Sequence, residues 1–216
     1  MIARDLDSLK IKGTTTLALK CADGVILAAD TRAIMLPGFI ASRAVRKVYP
    51  ITRNVGMTIA GIPAEAENLL DLLRANANIY QLQRNRVMPV RSVGGLASHI
   101  LFSQRIFPYA VQILIGGYDT EGYHIFSLDP FGSLIEDDVI ATGSGSPIAH
   151  GVLENEYKEG ISLNEGLLVA VKAITAAMKR NIYTGDDINI ATITREKGYV
   201  ELKREEKKRL LDRLAF

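Results

Sequence analysis

Apolar and polar residues alternate through "TTTLALK" (14–20), break at "ADG", and resume through "VILAAD" (25–30), the pattern of a β-hairpin. Two more strand-like runs follow, "RKVYPI" (46–51) and "VGMTIAG" (55–61), with a turn expected at Pro37-Gly38 before them. The period then changes. From Pro63, the residues Leu69, Leu70, Leu72, Leu73, Ile79 and Leu82 make one helical stripe that ends by Pro89. A second helix is predicted from Ser92 to Ile106, stopping before Pro108. Strand patterns return in "AVQILIGGYD" (110–119), "YHIFSLDP" (123–130) and "SLIEDDVIATG" (133–143). Two helices follow, over 147–157 and 163–180. Ser162 and Glu165 form a capping box for the second, which is apolar nearly all round and is expected to lie buried between layers. "INIATIT" (188–194) and "YVELK" (199–203) close with a hairpin before a charged terminal helix.

Strands, two helices, strands, two helices and strands make an α+β chain with hairpin-connected antiparallel sheets, not regular βαβ alternation. Two such sheets face to face, with helices outside, are expected to form a sandwich of four layers. The 216 residues suffice for one domain with a real core, and no repeat, low-complexity stretch or linker divides them.

Composition narrows the function. With 48% hydrophobic and 23% charged residues the chain is ordinary for a soluble globular protein. A formal net charge of +2 is too small to imply a nucleic-acid or membrane surface. No apolar run approaches transmembrane length and "MIARDLDSLKIKG" lacks a signal-peptide core, so neither export nor membrane insertion is expected. Cys21 is the single cysteine, which rules out an intrachain disulfide and suits a reducing, cytoplasmic setting. It reads as a small buried hydrophobe, with a nucleophilic role as the alternative.

Familiar chemistries are missing. His99, His124 and His150 stand far apart with no HExxH or CxxC partner, so no metal is expected. There is no GxxxxGK[ST] loop. "TGSGSP" lacks the GxGxxG spacing of a dinucleotide loop, and it does not match GxSxG. No cofactor is implied.

Taken in order, "KGTTTLAL", "DGVILAADTRA", "RKVYPI", "MTIAG", "FPYAVQILIGGYD" and "ATGSGSPIAHGVLE" resemble the β-subunits of the 20S proteasome, most of all the archaeal type. The likeness runs from about Gly13 to Leu202. It implies the N-terminal nucleophile hydrolase fold, a four-layer α/β/β/α sandwich, with residues 1–13 as a propeptide and 14–216 as the mature domain. It also implies a threonine endopeptidase, self-processed between Gly13 and Thr14, that degrades unfolded polypeptide. The implied partners are α-subunits, further β-subunits in seven-membered rings of a 28-subunit barrel, and an unfolding ATPase.

On this resemblance Thr14 is the nucleophile, and its α-amine, freed by cleavage, is the base. An α-amine titrates near 7.7–8.0 in model peptides, which suits a general base at neutral pH and dispenses with histidine. Asp30 and Lys47 match the pair that supports the nucleophile, Gly61 the oxyanion donor, and Ser144 the serine beside the threonine amine. Ala33, Tyr49, Ile59 and Pro63 match or adjoin the walls of the substrate pocket. Two positions depart from the family pattern Arg-Asp-x-x-Ser-Gly, since "RNIYTG" puts Asn181 for the aspartate and Thr184 for the serine. Asparagine keeps the acceptor and shape but loses the charge. "MLPGF" is one residue longer than the family pattern, so Lys47 is assigned on "KVY" rather than by counting. Three readings follow: an active protease, a silent or unprocessed structural β-subunit, and another amine-nucleophile hydrolase acting on small amides.

Overall fold

In the computed structural model the described residues are 13–35 and 38–214; residues 1–12 of the expected propeptide and the Pro37 half of the expected turn lie outside them. The strands are β1 (Thr15–Cys21), β2 (Gly24–Asp30), β3 (Ala33–Met35), β4 (Phe39–Ser42), β5 (Val48–Pro50) and β6 (Val55–Gly61). After helices α1 (Pro63–Arg84) and α2 (Val90–Ser103) come β7 (Val111–Tyr118), β8 (Tyr123–Leu128), β9 (Leu134–Glu136) and β10 (Val139–Gly143). Helices α3 (Ser146–Glu156) and α4 (Leu163–Arg180), strands β11 (Ile188–Thr194) and β12 (Gly198–Glu201), and α5 (Arg204–Asp212) complete the chain.

Two five-stranded antiparallel sheets, ordered β10-β1-β2-β11-β12 and β5-β6-β7-β8-β9, face each other, and β3-β4 form a separate hairpin. Ala18, Val25, Leu27, Leu114, Ile125 and Ile193 fill the space between the sheets. Helices α1 and α2 cover the outer face of the second sheet through Leu69, Leu73, Val93 and Leu101. Helices α3 and α4 cover the first through Leu153, Leu167, Ala170 and Ile174. The result is the expected α+β sandwich, four layers deep.

Several element boundaries differ from the sequence pattern, each for a local reason. Helix α1 ends at Arg84 because Asn85 adopts a left-handed conformation with φ 51°. Helix α2 begins at Val90, ahead of Ser92, because the Asp119 carboxylate accepts the Val90 amide at 2.9 Å and caps it from another element. The run 133–143 is two strands in different sheets, β9 pairing with β8 and β10 with β1. The crossing falls at Asp137–Asp138, where Lys20 holds Asp138 by both its amide and its ammonium, each at 2.8 Å. Helix α4 carries the expected Ser162–Glu165 capping box. It does not lie between layers but forms part of an outer layer. Its small residues Gly166, Ala170, Ala173 and Ala177 let it settle closely on the first sheet.

Register brings the reactive positions to one end of the sandwich. Thr15 stands opposite Gly143, Thr16 opposite Ala29, and Asp30 opposite Ile188. Close approach of the sheets depends on a missing side chain at Gly116, where a Cβ would meet Val25 at 2.8 Å, Ile125 at 3.0 Å and Leu27 at 3.1 Å. Gly116→Ala therefore destabilises the fold by about 1–3 kcal/mol through overpacking. Gly95→Ala, on the exposed side of α2 with nothing within 4 Å, stabilises it by about 0.5–1 kcal/mol. Urea denaturation of the two variants checks the opposite signs.

Candidate active site

Asp30 ends β2 with no exposed surface, and its carboxylate is fully engaged. Oδ1 accepts the Thr15 amide at 2.9 Å and the Lys47 ammonium at 3.0 Å. Oδ2 accepts the amides of Arg32 at 3.0 Å and Gly185 at 3.1 Å. Lys47, 5% exposed, also donates to the Arg32 carbonyl at 2.6 Å. Burial pushes the Lys47 ammonium below its ordinary value, and the charge and hydrogen bond of Asp30 oppose that shift. A buried cation that sheds its proton more readily than a surface lysine is thus fixed in place.

Thr14 precedes β1, and its hydroxyl donates to the Gly13 carbonyl at 2.5 Å. The side chain lies against the peptide bond that joins its own residue to Gly13. The next residue anchors it. Besides the Thr15 amide on Asp30, the Thr15 hydroxyl shares a hydrogen bond with that of Thr184 at 2.7 Å. Gly145 makes room for this pair, since a Cβ there would lie 2.0 Å from the Thr15 hydroxyl. Ser144 Oγ is within 3.4 Å of both the Thr14 carbonyl and Asn181 Oδ1, so it can donate to either. Asn181 follows α4 as its C-cap, and its Oδ1 accepts the Tyr183 amide at 2.8 Å.

A cavity of about 110 Å³ opens beside Thr14. Gly13, Thr14, Lys47 and Gly61 line it together with Ala33, Tyr49, Ile59 and Pro63. Gly61 has φ +130°, and a Cβ there would lie 2.1 Å from the Ala110 carbonyl, so no other residue fits. The structure thus brings Thr14, Lys47, Gly61 and all four expected wall residues around one space, with Asp30 buried behind Lys47. Outside the lining, Ser144 is within reach of the Thr14 carbonyl, Thr184 bonds the Thr15 hydroxyl, and Asn181 stands beside Ser144. Cys21 is elsewhere in the core. Burial, and then the charge of Asp23, push its thiol up to about 12, which leaves it protonated.

Sequence reasoning passes over Arg32, Gly145 and Gly185, and takes Thr15 only as the start of the strand that holds Thr14. Gly185 acts through its backbone amide and Gly145 through the side chain it lacks. Arg32 also lines the cavity, as do Val45, Arg46 and Glu67, so charged side chains join the apolar walls.

Asp30→Asn leaves the Lys47 ammonium buried without its anion, at a cost of about 3–5 kcal/mol. Lys47 is depressed in the fold relative to 10.5, so the unfolded chain holds that proton more tightly. Without Asp30 the ammonium titrates lower still, so the deficit is complete below the variant's Lys47 value and fades as pH rises to that of the wild-type fold, itself below 10.5. Urea denaturation should therefore show the Asp30→Asn deficit narrowing as pH rises, and a deficit independent of pH contradicts this account.

The family described as "Proteasome subunit" matches residues 11–193. A "Proteasome subunit beta" from Methanopyrus kandleri is 45% identical over 210 residues, 96% of this chain and 99% of that protein. Another from Ferroglobus placidus is 47% identical over 204 residues, 94% and 96% of the two chains. A third, from Archaeoglobus fulgidus, is 46% identical over 189 residues, 87% and 88%. With the fold and the Thr14 site in hand, these likenesses place the chain in the proteasome family, among its β-subunits.

Proposed function

We propose that this β-subunit is a threonine endopeptidase that frees its own nucleophile by cutting after Gly13. The observation that carries this reading is the Thr14 hydroxyl, held at 2.5 Å from the Gly13 carbonyl oxygen beside a cavity that contains Lys47. The Thr14 Oγ attacks the Gly13 carbonyl carbon, the C–N bond to Thr14 breaks, and the hydroxyl proton passes to the departing nitrogen. The resulting ester is hydrolysed by water, leaving a Gly13 carboxylate and a free Thr14 hydroxyl and amine.

In peptide hydrolysis the new amine takes the hydroxyl proton as general base and returns it to the leaving amine. The Lys47 charge favours the ionised oxygen and lowers the amine through like-charge repulsion. The Gly61 amide is assigned to the tetrahedral oxyanion, where a fixed donor is worth about 2.7–4 kcal/mol. Apolar walls at Ala33, Tyr49, Ile59 and Pro63 favour an apolar side chain before the scissile bond. The proposed setting is cytoplasmic, in two β-rings of seven between α-rings, with an ATPase feeding unfolded polypeptide.

Asn181 favours a second reading, a silent β-subunit, because an amide stands where the family carries a carboxylate. Coexpression with an archaeal α-subunit separates the two. Intact mass should show the β-chain without residues 1–13, and a fluorogenic peptide should be cleaved. Thr14→Ala abolishes both, and Lys47→Ala lowers cleavage by about 100-fold or more. A full-length, inert chain in assembled particles overturns the proposal. Asn181→Asp adds an anion beside the amine and favours its protonated form, so the acid limb of the pH–rate profile moves to higher pH.

A further inference from the structure

Asp186 is one of two non-glycine residues with positive φ among the described residues, at 74°. Such a backbone is strained for a residue with a side chain and persists only where the surroundings hold it. Here they do. The Asp186 carboxylate, 10% exposed, accepts Arg32 Nε at 2.8 Å through one oxygen and Arg43 Nη1 at 2.9 Å through the other. These two arginine contacts hold its carboxyl below the ordinary carboxylate range, the Arg32 hydrogen bond most of all.

Arg32 binds the same loop a second time. Its Nη1 donates to the Ile182 carbonyl at 2.9 Å. Between these two anchors its guanidinium lies flat on Gly185, where a Cβ would sit 2.2 Å from Nη2. The segment from Ile182 to Asp186 is thereby clamped at both ends by one side chain. Its middle carries the Thr184 hydroxyl, bonded to Thr15, and the Gly185 amide, bonded to Asp30. Arg32 also presents its carbonyl to Lys47 and its amide to Asp30. The clamp and the site therefore share a residue.

We propose that Asp186 is a positioning residue for the Thr14 site, acting through Arg32 to seat the Thr184–Gly185 backbone on Thr15 and Asp30. It touches neither substrate nor nucleophile. The Arg43 contact, with Arg43 largely exposed, contributes little beside the Arg32 one. The inference rests on the protease reading for its kinetic consequence, but the clamp itself is a matter of geometry.

Asp186→Gly accepts the positive φ and removes the carboxylate. Asp186→Asn also tolerates that conformation and keeps an oxygen for Arg32 Nε. In assembled particles, Asp186→Gly should lower kcat for a fluorogenic peptide by about 10- to 100-fold with KM unchanged, the size expected of a misplaced catalytic group. Asp186→Asn should recover most of that loss. Amide exchange at Gly185 should accelerate in Asp186→Gly and stay near the wild-type rate in Asp186→Asn. Wild-type kcat and wild-type Gly185 exchange in Asp186→Gly overturn the proposal, as does a loss confined to KM. If Asp186→Gly fails to assemble, Gly185 exchange is read in the unassembled full-length β-chain, where acceleration over the wild-type chain supports the clamp and a wild-type rate counts against it. An inert wild type overturns the protease reading, and Gly185 exchange then decides the clamp alone.

Discussion

The Asp30 carboxylate gathers four donors from four stretches of chain: the Thr15 amide, the Lys47 ammonium, and the amides of Arg32 and Gly185. A carboxylate with no exposed surface is expensive unless each lone pair is met. A buried ion pair is weak evidence for net stability, because desolvation offsets the attraction. Its consequence here is uniqueness. Any rearrangement that withdraws one donor leaves buried charge or a buried N–H uncompensated, so β1, β2, the start of β5 and the loop after α4 can meet in only one way. The other site features hang from that meeting.

Much of the fold is legible because long strands and helices bury one face. "INIATIT" alternates over seven residues, "VGMTIAG" is an apolar run buried on both faces, and the observed bounds of both agree with the pattern. Short elements carry no such signal. Strands β3 and β4, three and four residues long, have no residue fully buried, so their pairing depends on neighbours and not on alternation. The break between β9 and β10 is invisible in 133–143 because it is decided by Lys20, more than a hundred positions away. The α2 start is decided similarly by Asp119.

The candidate site divides along a different line. Thr14, Asp30 and Lys47 are found through motifs, because a motif is read from its side chains. The donors that complete Asp30 are backbone groups, and a backbone amide looks the same behind every letter. Asn181 shows the converse. In the sequence it reads as a lost charge, which invites the inference of a damaged site. In the fold its Oδ1 receives the Tyr183 amide at 2.8 Å and lies near Ser144 Oγ. An amide oxygen performs that task as a carboxylate would, so the loop geometry does not depend on the charge.

The same geometry bears on how one set of residues could serve both self-cleavage and later turnover. Thr14 is held from its C-terminal side. The Thr15 amide is on Asp30, the Thr15 hydroxyl is on Thr184, and Ser144 lies within reach of the Thr14 carbonyl. None of these contacts uses Gly13. Breaking the Gly13–Thr14 bond, as proposed, therefore leaves these anchors in place and frees the hydroxyl from the Gly13 carbonyl, and the new amine forms at a nitrogen whose neighbours are already fixed. The ordering entropy has been met by the folding of β1 and the loop after α4. On the proposed reading, the backbone around Thr14 then serves the leader and later peptides alike, with only the threonine hydroxyl changing partner.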